Sequence, residues 1–96
     1  MLTVQVLDNG RVAFTGRLDA SQAATAQAAL DATSGVVVLD CVGLDYLASA
    51  GLGVLLKTHK RLAAHGGRLR LVGVRPALRD IFAYSGFDQV FEIESA

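Results

Sequence analysis

Residues 35–56 read GVVVLDCVGLDYLASAGLGVLL, and this stretch decides the fold. Its first part, Gly35 to Asp40, is a continuous run of apolar and β-branched residues, which is typical of a strand buried on both faces. Residues 41–48 are predicted to form a connecting loop with a short extended piece. A helix is predicted to begin at about Ser49, among small residues. The centre of a sheet is therefore expected at residues 35–40.

The predicted second helix has an apolar stripe with i, i+3 and i+4 spacing. The stripe consists of Leu52, Leu55, Leu56, His59, Leu62 and Ala63. The opposite, polar side is predicted to carry Lys57, Lys60 and Arg61. Gly66-Gly67 is expected to end the helix, because glycine tolerates the left-handed conformation of a C-terminal cap.

The residues before this stretch predict a β-hairpin and a first helix. Residues 3–7 and 11–15 alternate apolar and polar side chains around the turn Asp8-Asn9-Gly10. Asp19 is predicted to cap a helix that continues through Ala32, with Gln22 reaching back to the cap as in a capping box.

The residues after it predict a strand at 68–72, a third helix and a short strand at 90–93. Pro76 suits a first helical position, where its missing N–H costs little, and Gly86 supplies a stop. The inward stripe of this helix is predicted to be Ala77, Leu78, Ile81, Phe82 and Ser85. The element order β-β-α-β-α-β-α-β predicts an α/β fold with a mixed sheet and crossover helices.

Length, composition and net charge limit the kinds of protein that this sequence can encode. The 96 residues fit a single domain, and a chain that is 52% hydrophobic and 19% charged is too apolar to be disordered. The sequence has no apolar run long enough for a membrane helix and no recognisable secretory signal, so a cytoplasmic location without membrane insertion is expected. A net charge of zero argues against nucleic acid as a partner. The single cysteine, Cys41, is expected to be a small buried residue.

Ser49 is the residue whose side chain is most clearly placed for functional chemistry. A helix N-terminus presents unpaired backbone N–H groups and a partial positive charge, and small neighbouring residues allow another chain to approach. A serine at this position either caps the helix or, if phosphorylated, adds about −1.5 to −2 charges. His59 and His65 show no spacing typical of a catalytic or metal site, so no catalytic residue, metal or cofactor is expected.

The sequence resembles the STAS family, the sulfate transporter and anti-sigma factor antagonist domains. The resemblance is carried by Leu39-Asp40 followed by residues 45–56, DYLASAGLGVLL, and by Gly16-Arg17-Leu18-Asp19. Residues 66–74 and 78–91 resemble the family's later strand and closing helix. The resemblance therefore covers nearly the whole chain, and residues 1–96 are expected to form one stand-alone STAS domain of the antagonist type.

This resemblance implies a non-enzymatic switch. Such a domain docks onto an anti-sigma factor with a histidine-kinase-like ATPase fold, is phosphorylated by it at a helix N-terminus, and is reset by a PP2C-type phosphatase. The implied phosphorylation site is Ser49. The implied partner-binding residues are Asp19, Asp40, Ala48, Ser49, Ala50, Gly51, Leu52 and Gly53.

Two residues depart from the pattern of phosphorylated relatives. Ala48 stands where the family often has an aspartate, and Ala50 stands where it often has a second hydroxyl residue. The alternative is a STAS subunit of a lipid-trafficking ABC transporter, which would bind an ATPase subunit without a phosphorylation cycle. Asp19 and Asp40 also have simpler interpretations, as a helix cap and as the end of a strand.

Overall fold

The structure, a computed structural model, describes residues 1–8 and 10–95. Six strands and three α-helices alternate along the chain. They are β1 (Leu2–Val6), β2 (Arg11–Leu18), α1 (Ala23–Asp31), β3 (Val36–Asp40), β4 (Leu44–Leu47), α2 (Ser49–Ala64), β5 (Arg68–Val74), α3 (Pro76–Ser85) and β6 (Glu92–Ser95). Short 3-10 turns precede α1 at Ala20–Gln22 and follow α3 at Phe87–Gln89.

The strands form one mixed sheet in the order β1-β2-β3-β5-β6. β1 and β2 are antiparallel, which confirms the opening hairpin, although Asn9 of its predicted turn lies outside the described residues. The other pairs are parallel, as crossover helices require. The α/β class and the mixed sheet are therefore confirmed.

The structure adds a strand where the sequence analysis predicted a connecting loop with only a short extended piece. β4 pairs in parallel with the second half of β2, Leu18 opposite Leu47, whereas β3 pairs with the first half, Ala13 opposite Asp40. β3 and β4 therefore share one edge of β2. With four residues, β4 is too short for periodicity alone to distinguish it from an extended loop.

The prediction that β3 is buried on both faces is wrong. Val37 and Leu39 are fully buried, whereas Val36 is exposed and Val38 is half-buried. Buried residues of α1, α2 and α3 join a single core cluster with the inward residues of the strands, so the helices cover one face of the sheet. The other face carries ion pairs, such as Arg70 with Glu92 at 2.7 Å.

The ends of α2 and α3 confirm the glycine and proline predictions. Gly66 has φ of +79°, and Gly67 N–H donates to Leu62 O at 2.8 Å, as in a Schellman cap. Pro76 is the first residue of α3, and Gly86 ends it with φ of +78°. The closing strand lies two residues later than predicted, because the 3-10 turn at Phe87–Gln89 precedes it.

The buried stripes of the helices are shifted from the predicted ones. The residues of α2 that are buried are Gly51, Val54, Leu55, Thr58 and Leu62. Of the predicted stripe, only Leu55 and Leu62 are fully buried, and Ala63 is exposed. In α3 the buried residues are Leu78 and Phe82, whereas the predicted Ala77 and Ser85 are exposed.

Arg61 does not lie on a solvated polar face, as the sequence analysis predicted. Its guanidinium donates to Leu30 O at 2.8 Å and lies 4.0 Å from the Asp31 carboxylate. Leu30 O belongs to the last turn of α1, where carbonyl groups lack helical partners and favour a cation. Arg61 therefore fastens α2 to the end of α1.

We predict that Arg61→Ala lowers the free energy of unfolding by about 1.5 kcal/mol, since the charge-assisted hydrogen bond that joins α2 to the end of α1 is lost, while Leu30 O keeps its hydrogen bonds from Thr33. Lys60→Ala is the matched control, because Lys60 is an exposed neighbour on the same helix and its loss should cost no more than about 0.5 kcal/mol. Urea denaturation of the two variants measures both effects. Equal losses would contradict the role assigned to Arg61.

Candidate functional site

The candidate site is the first turn of α2, at the end of β4. Ala48 N–H donates to Leu18 O at 2.9 Å, which attaches the start of the helix to the end of β2. The first helical bond runs from Leu52 N–H to Ala48 O at 3.0 Å. The N–H groups of Ser49, Ala50 and Gly51 therefore have no partner within the helix, and those of the exposed Ser49 and Ala50 are available to an acceptor.

Ser49 is exposed at the first helical position. Ala48 occupies the N-cap position instead, and the helix has no side-chain cap. The interpretation of Ser49 as only a helix cap is therefore wrong. Its hydroxyl lies on the surface, beside unpaired backbone donors.

The two glycines of the segment have different roles. Gly51 is buried, and a Cβ at this position would lie 2.7 Å from Leu47 Cδ1 and 2.8 Å from Leu18 Cγ. Gly51 therefore allows α2 to pack closely on β2 and β4. A Cβ at Gly53 would meet no atom within 4 Å, so the fold itself does not require glycine there.

A groove of about 470 Å³ runs between α1 and α2 and begins beside Ser49. Its lining residues are mostly small, and they are Ala23, Ala24, Gln27, Ala50, Gly53, Val54 and Lys57. The surface next to the serine is therefore concave, whereas the sequence suggested only a cluster of small residues. The contributions of Ala23, Ala24 and Gln27 were missed, because nothing in the sequence shows which face of α1 lies against α2.

Polar contacts hold the two walls of the groove together. Gln27 Nε2 donates to Thr58 Oγ1 at 3.3 Å, and Thr58 Oγ1 donates to Val54 O at 2.9 Å. Thr58 is fully buried, so its hydroxyl depends on these bonds. Together with Arg61, they fix the spacing of α1 and α2.

Asp19 lies next to the first turn of α2, since Leu18 pairs with Leu47 and binds Ala48. Its carboxylate accepts hydrogen bonds from Ser21 Oγ at 2.7 Å and Ser21 N–H at 3.1 Å. The bond from the Ser21 hydroxyl is the main cause that lowers the pKa of Asp19 below its ordinary value. Asp19 is thus a charged group at the edge of the site, as well as a cap of the 3-10 turn.

Half of the predicted capping box is wrong. Gln22 does not reach back to Asp19; its Oε1 accepts a hydrogen bond from Leu2 N–H of β1 at 3.2 Å. The reason is that residues 20–22 form a 3-10 turn beside β1, so α1 itself begins only at Ala23.

The structure does not bring Asp40 to Ser49. Asp40 is paired with Ala13, and Leu47 is paired with Leu18, five residues further along β2, which corresponds to about 16 Å. The Asp40 carboxylate accepts a hydrogen bond from Val42 N–H at 3.0 Å, which closes the turn after β3. Of the predicted partner-binding residues, Asp19 and residues 48–53 cluster, and Asp40 lies apart.

Comparison with known families identifies the domain. Residues 2–93 match the family model described as "Mlab, STAS domain". The chain belongs to the STAS domain family. The STAS resemblance of the sequence is therefore confirmed over nearly its whole length.

Relatives and solved structures place this STAS domain near anti-sigma factor antagonists. BtrV of Bordetella bronchiseptica, named as a candidate anti-sigma factor antagonist, is 42% identical over 60 residues, which cover 62% of this chain and 52% of BtrV. The matched segment thus spans about half the length of BtrV. An anti-sigma factor antagonist from Mycobacterium paratuberculosis has a TM-score of 0.79 at 25% identity, covering 100% of this chain and 86% of that chain.

SpoIIAA, an anti-sigma factor antagonist, shares the fold in its unphosphorylated form. The TM-score is 0.72 at 18% identity, over 100% of this chain and 89% of SpoIIAA. These proteins are named as anti-sigma factor antagonists, which are regulatory binding proteins.

Three further features of the described residues bear on other kinds of function: the cysteine thiol, the potential metal ligands and the length of the helices. Cys41 is buried, which confirms its predicted structural role, and burial raises the pKa of its thiol to about 12. Residues 1–8 and 10–95 contain no cluster of His, Cys, Asp or Glu suited to a metal ion. Among the same residues, no helix combines the length and the apolar character needed to cross a bilayer.

We predict opposite effects on stability for alanine at the two glycines of α2. Gly53→Ala should raise the free energy of unfolding by about 0.5–1 kcal/mol, since alanine is the better helix former and the added methyl group meets no atom. Gly51→Ala should lower it by about 1–3 kcal/mol, because the methyl group overlaps Leu18 and Leu47. Thermal or urea unfolding measures both. A loss of stability in Gly53→Ala would show that the fold does require this glycine.

Proposed function

We propose that this STAS domain is a cytoplasmic anti-sigma factor antagonist that is switched at Ser49. It docks onto an anti-sigma factor of the histidine-kinase-like ATPase type through Asp19, residues 48–53 and the groove between α1 and α2. The partner phosphorylates Ser49, which ends the complex, and a PP2C-type phosphatase resets it. The observation that carries this proposal is the exposed Ser49 hydroxyl among small residues at the first turn of α2.

The position of Ser49 suits a kinase substrate. Its side chain is exposed, Ala50 after it is exposed, and Ala48 before it is half-buried. The alanine side chains leave the serine and its flanking backbone sterically accessible, so a kinase active site can approach the hydroxyl closely. As neither Ala48 nor Ala50 carries a hydroxyl group, Ser49 is the single acceptor in this triplet.

The groove supplies a surface that another protein can fill. Ala50 and Gly53 lie on its α2 wall, next to Ser49, and Lys57 extends it with a positive charge one turn further along. Concave apolar surfaces with a few polar groups are typical binding sites for side chains of a partner. Gly53 has no packing role in the fold, so close approach by the partner is a physical reason for glycine there.

A phosphate at Ser49 would disrupt docking without disrupting the fold. The unpaired N–H groups and the helix dipole favour an anion at the start of α2. An interface that covered uncharged Ser49 would, however, have to accommodate about −1.5 to −2 charges beside the Asp19 carboxylate. Each 1.4 kcal/mol of that penalty weakens binding about tenfold.

The fold tolerates such a modification in a structural neighbour. SpoIIAA has been solved in phosphorylated as well as unphosphorylated form, and both structures have a TM-score of 0.72 to this chain. Because the two forms resemble this domain equally, the fold is compatible with a switch that acts at the surface.

The second candidate function is that of a STAS subunit which binds the ATPase of a lipid-trafficking ABC transporter. The matching family model is described as "Mlab, STAS domain", so membership in the family does not by itself select antagonists. Ala48 and Ala50, which replace an acidic and a hydroxyl residue of phosphorylated relatives, also favour this candidate. The same first turn of α2 would then bind a partner, but Ser49 would remain unmodified.

We expect the cognate kinase-like anti-sigma factor and ATP to add one phosphoryl group to this protein. Intact-mass spectrometry with peptide mapping should place the group on Ser49. Ser49→Ala should remain unmodified under the same conditions, and a PP2C-type phosphatase should restore the original mass. Absence of any added phosphate with the kinases encoded near its gene would contradict the switch and favour the transporter candidate.

We predict that Ser49→Asp weakens binding of the unmodified partner at least about tenfold, whereas Ser49→Ala retains it, because only the aspartate adds charge within the interface. Isothermal titration calorimetry measures both affinities. Ser34→Asp is the matched control, since Ser34 is exposed between α1 and β3, at the opposite end of the sheet. If Ser49→Asp and Ser34→Asp bind the partner with equal affinity, Ser49 does not lie in the interface.

The same variants separate docking from folding. An aspartate in the first turn of α2 should leave stability unchanged or raise it by about 0.3–1 kcal/mol, because it complements the helix dipole. A loss of binding by Ser49→Asp accompanied by unfolding would therefore count against an interface effect.

A further inference from the structure

Among the described residues that line the groove between α1 and α2, Lys57 alone carries a charge. Five of the other six are alanine, glycine or valine. The sixth is Gln27, whose Nε2 amide donates to Asp31 Oδ1 at 2.9 Å and to Thr58 Oγ1 at 3.3 Å, and whose Oε1 is buried. The Lys57 ammonium is therefore the side-chain group through which the groove can recognise a polar group of a partner.

The fold leaves the charge of Lys57 unbalanced. Within residues 1–8 and 10–95, every ion pair is formed by an arginine, and none involves Lys57. α2 contains no acidic residue. Asp31, the one acidic residue of α1, accepts the bond from Gln27 and lies 4.0 Å from Arg61. The far end of the groove therefore presents an uncompensated positive charge.

A partner seated in the groove has to cover this charge. Lys57 lies on the same stripe of α2 as Ala50 and Gly53, because the three residues are spaced at i, i+3 and i+7. It lies eight residues beyond Ser49, which corresponds to about 12 Å along the helix. Its side chain is exposed, so the ammonium is hydrated until a partner displaces that water.

We propose that the anti-sigma factor places an acidic side chain against Lys57 when it docks. This inference rests on the proposed function and adds to it the chemistry that the partner presents at the far end of the groove. Lys57 is then a specificity-determining residue of the docking surface, and Ser49 remains the residue at which docking is switched.

A carboxylate is the group that suits a covered lysine. An apolar partner surface would remove water from the ammonium without supplying an acceptor, which costs free energy. A basic side chain would add like-charge repulsion. A carboxylate instead accepts charge-assisted hydrogen bonds from the ammonium and neutralises its charge. Charge complementarity therefore favours an acidic partner residue over the other two classes.

Surface plasmon resonance of the full chain against the anti-sigma factor encoded near its gene tests this inference. We expect Lys57→Glu to raise the dissociation constant at least about tenfold at about 0.1 M NaCl, mainly through a lower association rate, because an exposed charge at the rim of an interface steers the encounter. Lys57→Met, which keeps the length of the side chain without its charge, should raise the dissociation constant less. At about 1 M NaCl, where the screening length falls from about 10 Å to about 3 Å, the difference between wild type and Lys57→Glu should shrink.

Lys60→Glu is the matched control. It makes the same change of charge on the same helix at an exposed residue that does not line the groove. Its dissociation constant should rise no more than about threefold, because a charge away from the contact is largely screened. Circular dichroism checks that each variant is folded.

The outcomes separate this inference from the proposed function. Equal losses in Lys57→Glu and Lys60→Glu, with Ser49→Asp still weakening the complex, would overturn the acidic contact and leave the switch at Ser49 intact. A loss in Lys57→Glu that is undiminished at about 1 M NaCl would also overturn it, since a charge effect is screened by salt. A wild-type chain that does not bind the anti-sigma factor would overturn the proposed function together with this inference.

Discussion

The close contact of Gly51 with Leu18 and Leu47 is the constraint on which the candidate site depends. β4 lies beside the second half of β2, and both strands end where α2 begins. Because Gly51 has no side chain, the helix can pack directly on these two leucines. The hydrogen bond from Ala48 N–H to Leu18 O then fixes the first turn, and Ser49 is left on the outer side of it.

This arrangement joins a rigid base to a surface with free hydrogen-bond donors. The base consists of buried apolar residues, whereas the first three N–H groups of α2 have no helical acceptor. An anion at Ser49 would thus be stabilised by the fold, and it would oppose binding by a partner surface that lacks complementary positive charge. A surface switch needs this combination, because the domain must remain folded in both of its states.

The groove beside Ser49 depends on polar contacts between α1 and α2. Arg61 binds the last turn of α1, and Gln27 binds the buried hydroxyl of Thr58. These bonds fix the spacing of two helices whose facing residues are small, and a groove remains between them. The shape of the candidate docking surface therefore depends on polar residues at the contact of α1 and α2, away from the serine itself.

Much of the fold could be predicted from hydrophobic periodicity and from the glycine and proline residues that start or end the elements. The β1–β2 hairpin, the start of α2 near Ser49 and the stops at Gly66 and Gly86 follow from local patterns, because backbone preferences act over a few residues. The short strand β4 and the exposed face of β3 could not be predicted from local patterns. Strand pairing and the covering of a sheet face involve residues far apart in the chain, which no local window contains.

By itself the sequence determined the order of most elements, the STAS resemblance and the identity of Ser49 as the candidate residue, since each depends on residue types at short spacings. Only the tertiary structure decided that Ala48 and not Ser49 occupies the N-cap position, that Gly51 is buried while Gly53 is open, and that Asp40 lies about 16 Å along β2 from the end of β4. The physical reason is that exposure and proximity are set by how β2, β4, α1 and α2 pack together. That packing results from the whole core.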